Sequence, residues 1–353
     1  MVEGWSPERL ARPVAYLALL ALLGGAALES RGRQARAIQV ETLSPVAALP
    51  AHIAGSFRDL TACQQTAGGE YFVFDRRGHA VYVVPKGQDQ ARKLVEIGAE
   101  PGRLLDPTAF KLAADGTFVV ADAPRGTPRI QMFTTSGSTL NGFYLEGRSV
   151  PRVTLGNLVL SGVASMEYTG KQILLNQPEL GALVVEYGTD GRPVRTFGEL
   201  RPTGHENDRD VHLALNSGMP IVHPAGGYYF VFLSGVPQFR RYDAAGTLLF
   251  ERHIEGRELD HVIQNLPTTW KRQRADGGQL PLVLPTVSAA GADPAGNLWV
   301  SLSVGLTYVY DAAGDKRRVV EFHGAGTLLP TSFWFTRTGR VIVTPGCYAF
   351  AVR

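Results

Sequence analysis

The sequence predicts an all-β protein: a six-bladed β-propeller of four-stranded antiparallel blades, whose last blade is closed by an N-terminal strand. Three observations predict this fold. Short apolar runs of strand length recur along the 353 residues, turns containing glycine separate them at hairpin spacing, and long helical periodicity is absent from most of the chain. A single toroidal domain of repeats can reach this length without dividing into separate cores.

Residues 1–37 stand apart from the repeats. Arg9 and Arg12 precede an apolar stretch from Val14 to Leu28, which is the order of a secretory leader. The stretch is shorter than the ~20 apolar residues of a membrane-spanning helix, so it favours a signal peptide over an uncleaved N-terminal anchor. We therefore expect an exported protein, periplasmic or extracellular, that contacts a membrane only if the anchor is retained.

The charge balance argues against a nucleic-acid partner. The whole chain carries a formal charge of +3, and five arginines against three glutamates in residues 1–37 contribute +2 of it. The remainder, close to +1, has no broad positive field to hold a phosphate backbone. Nucleic-acid binding is therefore not expected.

The clearest repeat is the second predicted blade. It reads as the strands TAFKLAA, FVVAD, RIQMFT and TLNGFYL, with Asp115-Gly116 as the first turn. The last copy offers three strands only, and the strand-like segment 38–46 can supply the fourth, which would close the ring and cover its open edges. The predicted blades are residues 57–98, 104–147, 155–200, 217–256, 284–324, and 328–353 together with 38–46.

Residues 102–133, GRLLDPTAFKLAADGTFVVADAPRGTPRIQMF, resemble an NHL-type repeat. The shared features are the leading glycine, the proline before the first strand, the DG turn, the V-x-AD strand and the R-I-Q-x-F strand. The rest of the chain resembles the broader group of uncharacterised secreted bacterial six-bladed propellers. This resemblance implies the fold, but propellers of this kind host unrelated activities.

Two cysteines lie near the ends of the repeats, Cys63 and Cys347. In an oxidising compartment they could form a disulfide that joins the first and last blades. The alternative is a pair of buried free thiols, and the sequence favours it because the predicted strand positions do not obviously meet.

Function is expected on the face where second-to-third-strand loops and blade-to-blade connections emerge, here called the long-loop face. The first of two long connections there spans 201–218, and Thr203 and Glu206 have the spacing of a capping box before a short helix. On that helix His205, Asp208 and His212 would share a side, which makes them candidate ligands of a divalent metal ion. A solvated polar helix face, with Asp208 paired to Arg209 or Arg201, is the favoured alternative, since the two histidines would be about 10.5 Å apart along the axis.

The second long connection spans 257–285 and predicts a short helix followed by a loop. Candidate residues for the wall of a cleft are Asp260, His261, Trp270, Lys271 and Arg272, with the indole as a stacking surface and the two cations as anion contacts. The favoured interpretation is a packed cap, which is compatible with a cleft wall. Shorter segments on the same face add further candidate ligand-binding residues: Arg76, Arg77, Arg125, Asn176 and Asn216.

The favoured function is a binding or scaffolding propeller of the cell envelope, which presents its long-loop face to a small ligand or a protein partner. The alternative is a metal-dependent hydrolase, lactonase or lyase at the mouth of the central channel. Propeller lactonases, which these blades resemble in number, hold a divalent ion through acidic and amide side chains. Asn157, Asn176 and Asn216, together with an Asp or Glu, could take that role. The sequence has no Gly-x-Ser-x-Gly, phosphate-binding glycine loop or His-Glu-x-x-His.

Overall fold

The computed structural model describes Met1, residues 39–146, the strands 153–155 and 158–160, and residues 165–275 and 278–352. The chain divides into two compact units, Met1–Gln39 and Val40–Arg353, and the elements below belong to the second. The predicted leader or anchor over 1–37 lies outside the described residues, apart from Met1. Within the described residues, no helix is both long and apolar enough to cross a membrane.

Six blades, each built on four antiparallel strands, confirm the predicted fold class, and the sheet of blade 5 carries two additional strands. Blade 1 consists of Leu60–Gln65, Tyr71–Asp75, Ala80–Val84 and Arg92–Val95. Blade 2 consists of Ala109–Leu112, Thr117–Asp122, Arg129–Thr134 and Thr139–Tyr144. Blade 3 consists of Met166–Tyr168, Gln172–Leu175, Val184–Gly188 and Pro193–Phe197.

The remaining three blades repeat this order. Blade 4 consists of Gly218–Val222, Tyr228–Phe232, Gln238–Tyr242 and Leu248–His253. Blade 5 consists of Val287–Ala292, Leu298–Leu302, Thr307–Tyr310 and Lys316–Gly324, and the short strand Gly326–Leu328 pairs with the last of these. Blade 6 consists of Ser332–Phe335, Arg340–Thr344, Tyr348–Ala351 and the N-terminal strand Ala47–Ala48.

The hydrophobic core lies between blades. Side chains alternate across a strand, so Tyr229 and Val231 face blade 5 while Phe230 and Phe232 face blade 3. This explains why the second strands read as continuous apolar runs: both of their faces are covered. Every pair of neighbouring blades, including the pair formed by blades 6 and 1, shares one such cluster among the described residues.

An N-terminal strand closes the last blade, but its position differs from the predicted segment 38–46. Ala47 and Ala48 pair antiparallel with Ala349 and Tyr348 of blade 6. The earlier strand Val40–Leu43 instead pairs in parallel with the last strand of blade 5, as a fifth strand. The reason is Pro45, which lacks an N–H for a ladder and divides the segment into two short strands on adjacent blades.

Cys63 and Cys347 form a disulfide with their Cα atoms 5.6 Å apart, so the prediction of two free thiols was wrong. Cys63 lies in the first strand of blade 1. Cys347 was assigned to a strand, but it occupies the turn before Tyr348–Ala351 with φ 53°, after Gly346 with φ 90°. This turn places Cys347 against the neighbouring blade, whereas the predicted position in a strand would not have done so.

Helices and turns occupy the connections. The helices are Ala51–Ala54, Arg209–Leu215 and Arg257–Gln264, and the 3-10 turns are Pro124–Gly126 and Pro178–Leu180. Two hairpins are inserted between blades, one formed by Val153–Leu155 and Leu158–Leu160 and one by Arg272–Ala275 and Gly278–Pro281. The second hairpin and the two longer helices all belong to the long-loop face.

Candidate functional site

A cavity of about 500 Å³ lies on the long-loop face over blade 4, and we call it the loop pocket. Its walls come from both long connections, from the loop between the second and third strands of blade 4, and from the end of that blade's last strand. The lining residues are Arg201, Pro202, Thr203, His205, Leu215, Gly235, Val236, Gln238, His253, Leu266, Pro267, Thr268 and Trp270.

The first wall is positioned by the helix Arg209–Leu215. Asp208 is its N-cap, with a carboxylate oxygen that accepts the Val211 N–H, so the helix begins later than the predicted Thr203 cap. Glu206 instead closes a turn before the helix and accepts the N–H groups of Thr203 (2.7 Å) and Gly204 (3.2 Å). The Thr203 N–H is the main cause that lowers the pKa of this carboxyl.

The three candidate metal ligands do not converge. His205 precedes the helix, so the predicted shared face does not exist, and its ring meets Trp270 at 6.2 Å with an interplanar angle of 74°. His212 Nδ1 is hydrogen bonded to the Thr203 hydroxyl at 2.8 Å. Asp208 pairs with Arg272 rather than with Arg201 or Arg209. In the described part of the chain, no group of three His, Cys, Asp or Glu side chains is arranged to hold a metal ion.

Asn176 and Asn216 are fully engaged in the junction between blades 3 and 4. The amide of Asn176 donates to the Leu183 carbonyl at 2.7 Å and accepts the Gly218 N–H at 3.0 Å. The amide of Asn216 accepts the Arg201 N–H at 2.8 Å and donates to two carbonyl oxygens. Both side chains are buried, and neither lines the loop pocket. The third candidate asparagine, Asn157, lies outside the described residues.

Among the second connection's candidates, Trp270 alone lines the loop pocket. Leu259 of the helix Arg257–Gln264 is buried in the core shared by blades 4 and 5, which turns Asp260 and His261 to the exposed side of that helix. Trp270 packs beside Val211, Leu215 and Val283, whereas Lys271 is exposed outside the wall.

The predicted arginines of the shorter loops lie away from the pocket. Arg76 forms an ion pair with Asp59 at 2.7 Å, and Arg77 is exposed. Arg125 lies in a 3-10 turn with φ 56° and is also exposed. These residues therefore lie on the long-loop face but do not line the loop pocket.

Arg201 is a charged lining residue that the sequence did not indicate as a candidate for ligand binding. Its guanidinium is buried on the face of Phe232, 4.2 Å from the ring centre, and donates to the carbonyl oxygens of Leu215, Ser234 and Val236. Burial first, and then the charge of Arg240, lower the pKa of Arg201 to about 10. Its place at the start of a long connection was visible in the sequence, but its burial depends on blade 4, far along the chain.

A separate cavity of about 310 Å³ lies in the central channel, lined by the ends of first strands and the turns that follow them. First strands end at the face opposite to the long-loop face, so this channel cavity is not at the predicted mouth. Lys111 pairs with Glu167 at 2.8 Å and lies 5.5 Å from the Trp334 ring centre. The Trp334 indole donates to the Gln65 carbonyl at 3.0 Å. The lining of the channel cavity thus includes an ion pair, Lys111 with Glu167, and the aromatic side chain of Trp334.

No family model matches the chain, and no curated protein matches it. Solved structures that resemble it include virginiamycin B lyase from Staphylococcus aureus (8% identity, 84% of this chain and 85% of that chain, TM-score 0.48). Others are a streptogramin B lyase (10% identity, 82% and 76%, TM-score 0.49) and Sqt1 from Saccharomyces cerevisiae (12% identity, 82% and 83%, TM-score 0.48). The described structure itself identifies the chain as a six-bladed β-propeller, whose function must be inferred from its own residues.

Proposed function

We propose that this chain is an exported propeller that binds a small amphipathic molecule in the loop pocket. One observation carries the proposal: two long connections, from different blade junctions, converge over blade 4 and enclose about 500 Å³ with it. That volume falls within the range of about 300–1,000 Å³ that small-molecule sites occupy.

The lining of the loop pocket supports an amphipathic ligand. Val236, Leu266 and Trp270 offer apolar surface, and the indole is wide enough to stack on a ring. Gln238 and Thr203 add groups that can donate or accept hydrogen bonds. An apolar wall with a few polar groups is typical of sites that bind small organic molecules, where apolar contact supplies affinity and hydrogen bonds orient the ligand.

Polar contacts between the walls of the cavity hold them in place. Arg272, on the second connection, donates to both carboxylate oxygens of Asp208 on the first, at 2.7 and 2.6 Å. Arg201 links the end of the helix Arg209–Leu215 to the strand-connecting loop of blade 4. A pocket that is ordered before binding loses less conformational freedom when the ligand enters.

Two independent features of the chain support export. The N-terminal composition is that of a secretory leader, and the two cysteines are joined in a disulfide. Disulfides form and persist in oxidising compartments such as the periplasm or the extracellular space. Both features favour a function in the cell envelope or outside the cell.

The test is binding of N-phenyl-1-naphthylamine, a neutral probe that fluoresces in apolar sites, to the purified full-length chain. Trp270→Ala removes the stacking surface and should weaken binding about tenfold, equivalent to ~1.4 kcal/mol. Trp334→Phe changes a residue that lines the channel cavity and not the loop pocket, and it should leave the affinity unchanged. Loss of binding in Trp334→Phe but not in Trp270→Ala would place the site in the channel and reject the proposal.

The same preparations test the competing enzymatic function. A panel of lactones and esters is incubated with the full-length chain, with and without added divalent cations. We expect no turnover that depends on the cation. Cation-dependent turnover that persists in Trp270→Ala would favour a metal-dependent hydrolase acting elsewhere in the molecule.

A further inference from the structure

The loop pocket contains a positive charge that its other lining residues do not neutralise. Arg201 lines the cavity, and no Asp or Glu is among the described lining residues. Arg201 is 8% exposed, so water contributes little to the solvation of its guanidinium. A buried charge of this kind is costly unless an opposite charge or strong dipoles compensate it.

The partners of Arg201 in the described structure are dipoles rather than anions. Its Nε and Nη2 donate to the Leu215 carbonyl, Nη2 also donates to Ser234, and Nη1 donates to Val236 at 3.0 Å. These bonds use four of the five N–H groups that a guanidinium carries. One Nη1 hydrogen is left without an acceptor among the described residues, and the face of Phe232 adds only a cation–π contact.

The neighbouring charges do not remove this excess. Arg240 lies close enough to lower the pKa of Arg201, and it is itself neutralised by Glu251, whose carboxylate accepts its Nε–H at 2.5 Å. Arg240 Nη1 donates to the Glu199 carbonyl rather than to a second acid. Because the pKa of Arg201 stays at about 10, its side chain remains charged at neutral pH. The charges of Arg201, Arg240 and Glu251 therefore add up to one uncompensated positive charge beside an apolar cavity.

We propose that the ligand of the loop pocket is an organic anion: an aromatic or alicyclic body with one carboxylate or sulfonate group that compensates Arg201. This inference rests on the proposed function and adds the charge of the ligand to it. The body would lie against Trp270, Leu266 and Val236. Gln238 and the imidazoles of His205 and His253 are further side chains of the lining that can donate to an anion.

The test compares two probes with the same ring system on the full-length chain: 1-anilinonaphthalene-8-sulfonate, which is anionic, and N-phenyl-1-naphthylamine, which is neutral. The anionic probe should bind at least about tenfold more tightly. Because the charge is buried, the preference should persist in about 0.5 M NaCl, which screens exposed charges. Trp270→Ala should weaken both probes, which assigns both to the loop pocket. A second matched pair, 3-phenylpropanoate and 3-phenylpropanamide, should displace the bound probe in the same order.

Variants then assign the preference to Arg201. Arg201→Gln should bring the ratio of the two affinities close to one, and Arg201→Lys should retain part of the preference. Arg252→Gln, which removes an exposed charge adjacent in sequence to His253 but outside the pocket's lining, should leave the ratio unchanged. If Arg201→Gln does not fold, the proposal is tested by the ratio of the two affinities in the wild-type chain and by the dependence of that ratio on salt.

The outcomes separate this inference from the proposed function. If the neutral probe binds as tightly as the anionic one and Trp270→Ala weakens the binding of both, the proposal of an anionic ligand is rejected. The proposal that the loop pocket is a binding site is then retained. If the anionic preference disappears at high salt, the charge responsible is exposed and Arg201 is not its source. If neither probe binds, both proposals fail.

Discussion

Asp122 and Asp75 end the second strands of neighbouring blades, but their partners differ. Asp122 accepts two hydrogen bonds from Arg129, at 2.9 and 2.6 Å, and the two side chains are 0% and 3% exposed. Asp75, which is also buried, accepts backbone N–H groups from Arg58, Asp59 and Gly78, and no cation of the described residues forms an ion pair with it. The same residue type at the same place thus neutralises a charge in one blade and caps turns in the other.

These partners predict different effects of the same substitution. Asp122→Asn leaves the buried Arg129 without its counter-charge and should lower the free energy of unfolding by about 3–5 kcal/mol. Asp75→Asn retains an acceptor oxygen and should lower it by about 1–2 kcal/mol. Chemical denaturation of the two variants against the parent chain provides the measurement. Equal losses would mean that the ion pair adds nothing beyond the backbone hydrogen bonds.

At the scale of single residues, the sequence predicted which residue types lie near the long-loop face better than it predicted which of those residues contact one another. Trp270 lines the pocket, whereas Asp260 and His261 are turned outward because Leu259 takes the buried side of their helix. Arg201 had no local signal, since its burial is produced by Phe232, Ser234 and Val236 of the next blade. Contacts between residues distant in sequence decided the site.

Among the connecting elements, the hairpin formed by Arg272–Ala275 and Gly278–Pro281 is joined to the first long connection by ion pairs of Arg272. Arg272 pairs with Asp208 at 2.6 Å and with Asp210 at 3.4 Å. The hydrogen bond from Arg272 is the main cause that lowers the pKa of Asp208. Since the pKa is lower in the folded state, this contact contributes fully above the ordinary aspartate pKa of about 3.9. Its contribution is lost as the pH falls through the lowered value.

Arg272→Ala should therefore act locally. The pair is exposed to solvent, so we expect the free energy of unfolding to change by less than about 1 kcal/mol. The pKa of Asp208, followed by NMR of labelled carboxyl carbons, should rise toward its ordinary value. Binding of N-phenyl-1-naphthylamine should weaken several-fold as the wall loses its anchor. An unchanged Asp208 pKa would show that Arg272 does not hold the carboxylate in solution.

The blades themselves were the most predictable elements, because their turns are encoded locally. The repeated Tyr-Asp-Ala-Ala-Gly at 242–246 and 310–314 forms the same turn twice, with the aspartate accepting backbone N–H groups and the glycine at φ 86° and 83°. The closing strand was misplaced because edge strands of two to four residues contain too little pattern to fix their partners.

For the whole molecule, the disulfide is the covalent link that closes the ring. It joins blade 1 to blade 6 across 284 residues of sequence, and both cysteines are buried in the core shared by those blades. A cross-link over so long a loop restricts the unfolded chain strongly, with a stabilisation of about 3–5 kcal/mol. The double substitution Cys63→Ala and Cys347→Ala should lower the free energy of unfolding by that amount.

Denaturation with and without a reducing agent provides the control. The reductant should destabilise the parent chain to the level of the double variant and should leave the double variant unchanged. If the parent chain is equally stable in both conditions, either the bond does not form in solution or it does not contribute to stability.

The N-terminal strands also impose an order in time. In the described structure Val40–Leu43 and Ala47–Ala48 pair with strands that begin at Lys316 and Tyr348, so they are synthesised long before their partners. At about 5–20 residues per second, the delay is on the order of 15–60 s. During that interval the two N-terminal strands expose backbone that can pair with another chain. Protection from aggregation is therefore needed until the C-terminal strands are available, although the earlier blades can form without them.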